Sequence, residues 1–225
     1  MRKIFLNTFL FLLLTGASFF VFYSCSDQRL SPSQDTTPPD PAIASSGNNA
    51  NTTIASLFNK TVGAPIDGNL GRNWINNFTK ANSNIAQSYV IQSTTIKEII
   101  SKTACVGICL YYAKDDNNQL HILPLGIDSN AKAIPSKSVS IQNGMIDWAT
   151  ALRWIDNYSG SVSAHFCGTN MLLSMTSAQN CTALRTTRAL DNKGNPQLLL
   201  SNASDLMPAT YGDDTTPCPP ICPTK

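Results

Sequence analysis

Apolar and polar positions change period several times along the chain, and each change marks an expected element. Ile146, Ala149, Leu152 and Ile155 recur at helical spacing with Trp154 and Tyr158 alongside, which predicts an amphipathic helix of about 15 residues. Asn143 is placed to cap it. Earlier, Leu70, Trp74 and Phe78 stand four apart, although Gly68 and Gly71 weaken the helix they predict. Short extended pieces follow both patterns, SYVIQ at 88–92 and AHFCG at 164–168, and then two apolar clusters, TIKEIIS and NMLLSMTS, that predict short helices. The period next drops to two. Within CVGICLYYA, Val106, Ile108, Leu110 and Tyr112 alternate as one face of a strand; DDNNQ predicts a turn and LHILPLGI a returning strand. Pro124 in that strand suits an edge or a strand end.

The order helix, strand, helix, hairpin thus occurs twice. WINNF at 74–78 echoes WIDNY at 154–158, and the strands and hairpins align at one constant offset: Ile96 falls on Leu172, Ile99 on Met175, Cys105 on Cys181 and Asp115 on Asp191. That offset is slightly smaller than the one relating the two helices, so the second copy is four residues shorter between helix and strand, a change that loops tolerate. The expected fold class is α+β: two tandem copies of a small helix-strand-helix-hairpin module, 61–135 and 136–210, packed about a pseudo-two-fold axis. A Cys/Pro-rich tail, 211–225, completes the chain.

The N-terminal quarter has no such periodicity. Arg2 and Lys3 precede an apolar run over 4–23, the pattern of a membrane-inserting export signal. Cys25 follows Ser24 where the run stops, as in a bacterial lipoprotein signal (1–24) whose cysteine is lipidated. Residues 25–60 are dominated by Ser, Thr, Pro, Asn and Asp, too poor in apolar surface to offset ordering entropy, and are expected to form a disordered tether. The expected location is the cell envelope, lipid-anchored, at the outer membrane.

Composition narrows the chemistry. Charged residues make up 13% of the chain, about half the usual share, and a net charge of +2 without a Lys/Arg cluster excludes a nucleic-acid footprint. Six cysteines follow Cys25, and an even number in an exported chain points to disulfides. Cys105 and Cys109 on one strand face would lie ~13 Å apart, matching an extended Cys218 and Cys222 in CPPIC. That matching suggests bonds from the tail to the first hairpin, and from Cys167 to Cys181. His121 and His165 with these thiolates are a conceivable metal set, but the x₃ spacing is not a zinc knuckle, and no metal or cofactor is expected. Cys167 and His165 share a strand face, yet nothing identifies a group to orient them as a nucleophile pair. There is no phosphate-binding loop, GxSxG or HExxH. DTT, at 35–37 and 214–216, resembles the O-glycosylation motif of Bacteroidota envelope proteins.

The stretches WIDNY, AHFCG, CVGICLYYA, DDNNQL, LGID and CPPIC together resemble a group of short uncharacterised Bacteroidota envelope lipoproteins with AHFFG-like, CVGIRIYYA-like and CPPxC-like stretches. The resemblance implies lineage and no activity. Its His and Arg positions are kept as His165 and Arg185, whereas the first copy has Tyr89 and Cys109 there, so His165 and Arg185 form the candidate polar site. The expected function is a membrane-anchored, non-catalytic binding or scaffolding module whose partner is an envelope protein or glycan. The alternative is a thiol-dependent enzyme or a Cys/His metal-binding protein.

Overall fold

A computed structural model describes residues 57–82, 88–213, 215–218 and 222–225. The expected signal, Cys25, the tether up to residue 56 and the first DTT lie outside them, as does Asp214 of the second. The elements run β1 (Ala64–Asp67), α1 (Gly68–Ala81), β2 (Ser88–Gln92), α2 (Ser93–Ile100), β3 (Cys105–Lys114) and β4 (Leu120–Asp128). They continue with β5 (Ser138–Ile141), β6 (Gly144–Asp147), α3 (Trp148–Asp156), β7 (Ala164–Gly168) and α4 (Thr169–Thr176). The last are β8 (Ala183–Leu190), β9 (Pro196–Asn202), β10 (Thr210–Asp213) and β11 (Thr216–Cys218).

Local chemistry sets most of these boundaries. The Asp67 carboxylate accepts from the Asn69 and Leu70 amides at 2.8 and 3.3 Å to start α1, and Asp147 accepts from the Thr150 amide at 2.9 Å to start α3. Such a cap contributes ~1 kcal/mol, enough to offset one helical glycine. The expected start of α3 near Ile146 with Asn143 as its cap is corrected: Ile146 pairs with Val139 in a β5–β6 hairpin turning at 142–143, and the helix begins only after Asp147. Both long hairpins turn around an aspartate. Asp115 accepts from the Asn117 and Gln119 amides, and Asp191 from the Lys193 and Asn195 amides. Asn118 and Gly194, equivalent positions of the two copies, take the left-handed position of their turns at φ 64° and 82°, which their types tolerate.

The expected α+β tandem of helix-strand-helix-hairpin modules is overturned. Among the described residues 41% lie in strands and 25% in helices, with four helices and three antiparallel sheets. Sheet A has the order β1-β10-β9-β8-β2, sheet B the order β11-β7-β3-β4, and β5-β6 stand apart. The two halves are interlocked. Strand β2 of the first half pairs with β8 of the second, Ser88 opposite Thr187 through Gln92 opposite Ala183. Strand β7 of the second half pairs with β3 of the first, Ala164 opposite Tyr111 through Gly168 opposite Gly107. Replacing each residue by its equivalent in the other copy turns one ladder into the other. A lone hairpin keeps an unpaired edge, and the other half's short strand covers it here. The tail also joins both sheets, since β10 pairs with β9 and β11 with β7.

Three apolar clusters cement this arrangement. Between the sheets, Tyr89, Ile91, Leu184, Leu198 and Leu200 from sheet A meet Ile108, Leu110, Tyr112, Ile122 and Cys167 from sheet B, joined by Ile96 of α2 and Met171 and Leu172 of α4. The outer face of B, with Cys109, Tyr111, Leu123 and Phe166, is covered by Ala151 and Ile155 of α3 and by Phe58. The outer face of A, with Ala189, Leu199 and Tyr211, is covered by Trp74 and Ile75 of α1. Strand β3 is thus buried on both faces, like a central parallel-sheet strand: Ile108, Leu110 and Tyr112 face the inter-sheet core, whereas Val106, expected on their face, packs with the outer cluster beside the bulge between Cys105 and Gly107. Pro124 sits in β4 opposite Leu110, on the edge strand of sheet B, where an absent N–H is tolerated.

Candidate functional site

His165 is fully buried on the inner face of β7. Its Nδ1 lies 3.0 Å from Thr215 Oγ1, in the link between β10 and β11, and its Nε2 has no hydrogen-bond partner among the described residues. The ring meets Tyr112 edge-on at 6.0 Å, and Tyr112 stacks on Tyr158 at 5.3 Å. The cation of this cluster is Arg188, whose guanidinium lies 4.6 Å from the centre of the Phe78 ring and 5.3 Å from that of Tyr112. Burial, then the Arg188 charge, push the imidazole down to about 3, so it is neutral at ordinary pH.

Arg185, the other member of the candidate pair, is on the opposite side of sheet A. Its neighbour Leu184 faces the inter-sheet core, so Arg185 points outward by strand alternation, where its guanidinium donates to the Ala203 carbonyl at 2.7 Å. The structure therefore does not bring His165 and Arg185 together; Arg188, three residues on, stands where Arg185 was expected. An odd displacement along a strand reverses the face, which a motif match without register does not reveal.

The cysteines also depart from expectation. Cys218 bonds Cys222, with their Cα atoms 4.9 Å apart, so no disulfide joins the tail to the first hairpin; its contact there is a hydrogen bond from the Tyr111 hydroxyl to the Pro223 carbonyl at 3.3 Å. Cys105, Cys109, Cys167 and Cys181 are free. A bulge between Cys105 and Gly107 shifts the register of β3, and Cys105 Sγ approaches Gly126 and Ile99 on the α2 side while Cys109 packs on the α3 side. The two do not share a face. Cys181 Sγ lies 3.3 Å from Ser93 Oγ and is not joined to Cys167. Burial pushes the Cys167 thiol far above its ordinary range, and Cys109 and Asp213 add to the effect. A neutral imidazole beside a protonated thiol is the opposite of an activated pair. His121 instead stacks on Trp154 at 5.1 Å with Nε2 3.2 Å from Asp115. Among the described residues no three His, Cys, Asp or Glu side chains converge as a metal set.

The accessible site is elsewhere. One face of α4 and its following turn, Met171, Ser174, Met175 and Ala178, looks across a cleft of about 430 Å³ toward the end of β9, the loop after it and β10. This volume lies in the range of small-molecule sites. A Cβ on Gly212 would stand 2.7 Å from Met175 Sδ and 3.1 Å from Met171 Sδ, so both thioethers rest against the β10 backbone as the cleft floor. Pro65 and Pro208 add apolar wall, while Asn202, Asp205 and Thr210 supply polar groups. At the rim the 203–209 loop holds out Leu206 and Met207, 80% and 69% exposed. Periodicity in the sequence marks the Met171 face as apolar but does not separate a cleft wall from core.

No protein-family model, curated protein or solved structure matches the chain.

Proposed function

We propose that this protein is a cell-envelope lipoprotein, anchored in the outer membrane through Cys25, whose folded body is a non-catalytic binding module for an envelope protein or glycan. The cleft beside α4 is its binding surface. One contrast supports this reading: the thiol and imidazole of Cys167 and His165 are sealed inside in their neutral forms, whereas the open cleft carries thioethers, hydroxyls, an amide and one carboxylate. Such groups hold a ligand without activating it. Anchoring raises the effective concentration of the body for neighbours at the same surface.

Two measurements test the halves of the proposal. Metabolic labelling with a fatty-acid analogue is expected to tag the wild type and spare Cys25→Ala; equal labelling of both would sink the anchor. For the binding surface, a photo-crosslinking residue at Leu206 or Met207 is expected to give adducts in intact cells that the same residue at Lys193, on the β8–β9 turn, does not. Indistinguishable results at these positions would remove the cleft as the binding surface.

A further inference from the structure

The cleft beside α4 has a counterpart. Around α2, Thr95, Glu98, Ile99 and Lys102 face Leu125, Gly126 and Ile134 across a cavity of only about 30 Å³. Each has its equivalent in the second copy, at the same offset that relates the strands: Thr95 with Met171, Glu98 with Ser174, Ile99 with Met175, Lys102 with Ala178, Leu125 with Ser201, Gly126 with Asn202 and Ile134 with Thr210. The backbone confirms the match, for Ile134 donates to the Gly126 carbonyl at 2.7 Å just where β10 runs along β9 in the other half. The protein therefore holds two copies of one cleft, one filled and one open.

The filled copy is closed by its own side chains. Glu98, Lys102 and Ile134 are all larger than Ser174, Ala178 and Thr210, and Val139 and Met145 of the β5–β6 hairpin cover what remains. Two exchanges run the other way, Thr95 to Met171 and Gly126 to Asn202, and these give the open cleft a thioether on its floor and an amide on its wall. The charges differ too. Lys102 and Glu98 face the filled cleft together, whereas Asp205 is the one charged side chain among the described residues that line the open cleft.

We infer that the open cleft binds a small amphipathic amine, its ring on the Met171–Met175 floor beside Pro65 and its ammonium toward Asp205. This rests on the binding reading above and names the chemistry of the ligand. Thioethers are soft and adaptable and make favourable contacts with aromatic ring edges. A lone carboxylate at the mouth favours a cation and disfavours an anion of the same shape. A volume of about 430 Å³ accommodates a bicyclic ring with a short side chain.

The test uses the full-length protein with its methionine methyls carbon-13 labelled, titrated with tryptamine and, separately, with indole-3-propionate, an anion built on the same ring. Tryptamine is expected to shift the Met171 and Met175 methyl signals saturably and to leave Met145, beside the filled cleft, unmoved. Asp205→Asn is expected to weaken tryptamine about three- to fivefold, the modest effect of an exposed charge pair. Ala178→Lys with Ser174→Glu, which installs the residues of the filled copy, is expected to abolish the shifts. Ala178→Trp, at an exposed position, serves the same purpose should the double variant unfold. Equal binding of indole-3-propionate would overturn the amine and leave the binding reading intact. Shifts persisting in the filled variants, or no shift of Met171 and Met175 with either probe, would overturn the cleft as the site of this chemistry, while cross-linking at Leu206 still decides whether the body is a binding module.

Discussion

At the residue scale, His165 is a fully buried polar side chain whose Nε2 has no hydrogen-bond partner among the described residues. Its side chain is 0% exposed, and the nearby Arg188 charge opposes its protonation. An unfolded imidazole gains a proton as the pH falls below 6.5, whereas the folded one stays neutral down to about 3. In that window the unfolded state binds more protons, so stability falls with pH, by up to about 1.4 kcal/mol per unit. The depressed carboxylates of Asp115, Asp147 and Asp191 lose their contribution only as pH falls below their ordinary 3.8, so they leave the window clear. Urea unfolding of the wild type between pH 6 and pH 4 is expected to show this slope and His165→Gln a flatter one; parallel slopes would place the linkage on another group. The sequence marked His165 as a residue of interest, but its burial and its pairing with Thr215 depend on the tail crossing from sheet A to sheet B, a contact 50 residues away. No local pattern contains that.

At the element scale, the glycines of α1 illustrate how a local weakness can be a packing requirement. By propensity, Gly71→Ala should stabilise the helix by about 1 kcal/mol. In the fold, the added Cβ would stand 2.3 Å from Tyr211 Cδ2 and 2.7 Å from Cε2, and Tyr211 is buried on the outer face of sheet A beneath α1. Overpacking of this kind costs roughly 1–3 kcal/mol, so the clash outweighs the propensity. The expected outcome is a lower urea midpoint by roughly 1–2 kcal/mol in stability; an increase would mean that α1 is not seated on Tyr211. The four helices and the two long hairpins were legible because turn aspartates and apolar spacing act within a few residues. The β5–β6 hairpin was not, because Ile146 fits a helical period and a strand period equally well, and only the Asp147 cap decides between them.

At the scale of the whole molecule, the exchange of β2 and β7 makes each half the scaffold of the other. Without the opposite half the β3–β4 hairpin has no third strand, and the β8–β9 hairpin keeps only the four-residue β10 beside it; a hairpin alone is marginal in water. Residues 57–135 and 136–225 expressed separately are therefore expected to lack fixed tertiary structure, and mixing them is expected to restore a stoichiometric folded complex. Circular dichroism and amide NMR dispersion measure this directly. Independent folding of either fragment would mean that the halves are separable modules after all.

What the sequence by itself determined is whatever depends on neighbours within a turn or two: the identity and order of most elements, the aspartate-centred turns, and the correspondence between the two copies that is now visible in the strand registers. Only the tertiary structure decided which strand pairs with which, that Arg188 and not Arg185 accompanies His165, that Cys218 closes on Cys222, and that one of two equivalent clefts stands open. The reason is physical. Helical period and turn chemistry are local, but strand partnership, side-chain burial and cavity volume are set by surfaces that meet only after segments far apart in the chain, such as β2 and β8, have come together.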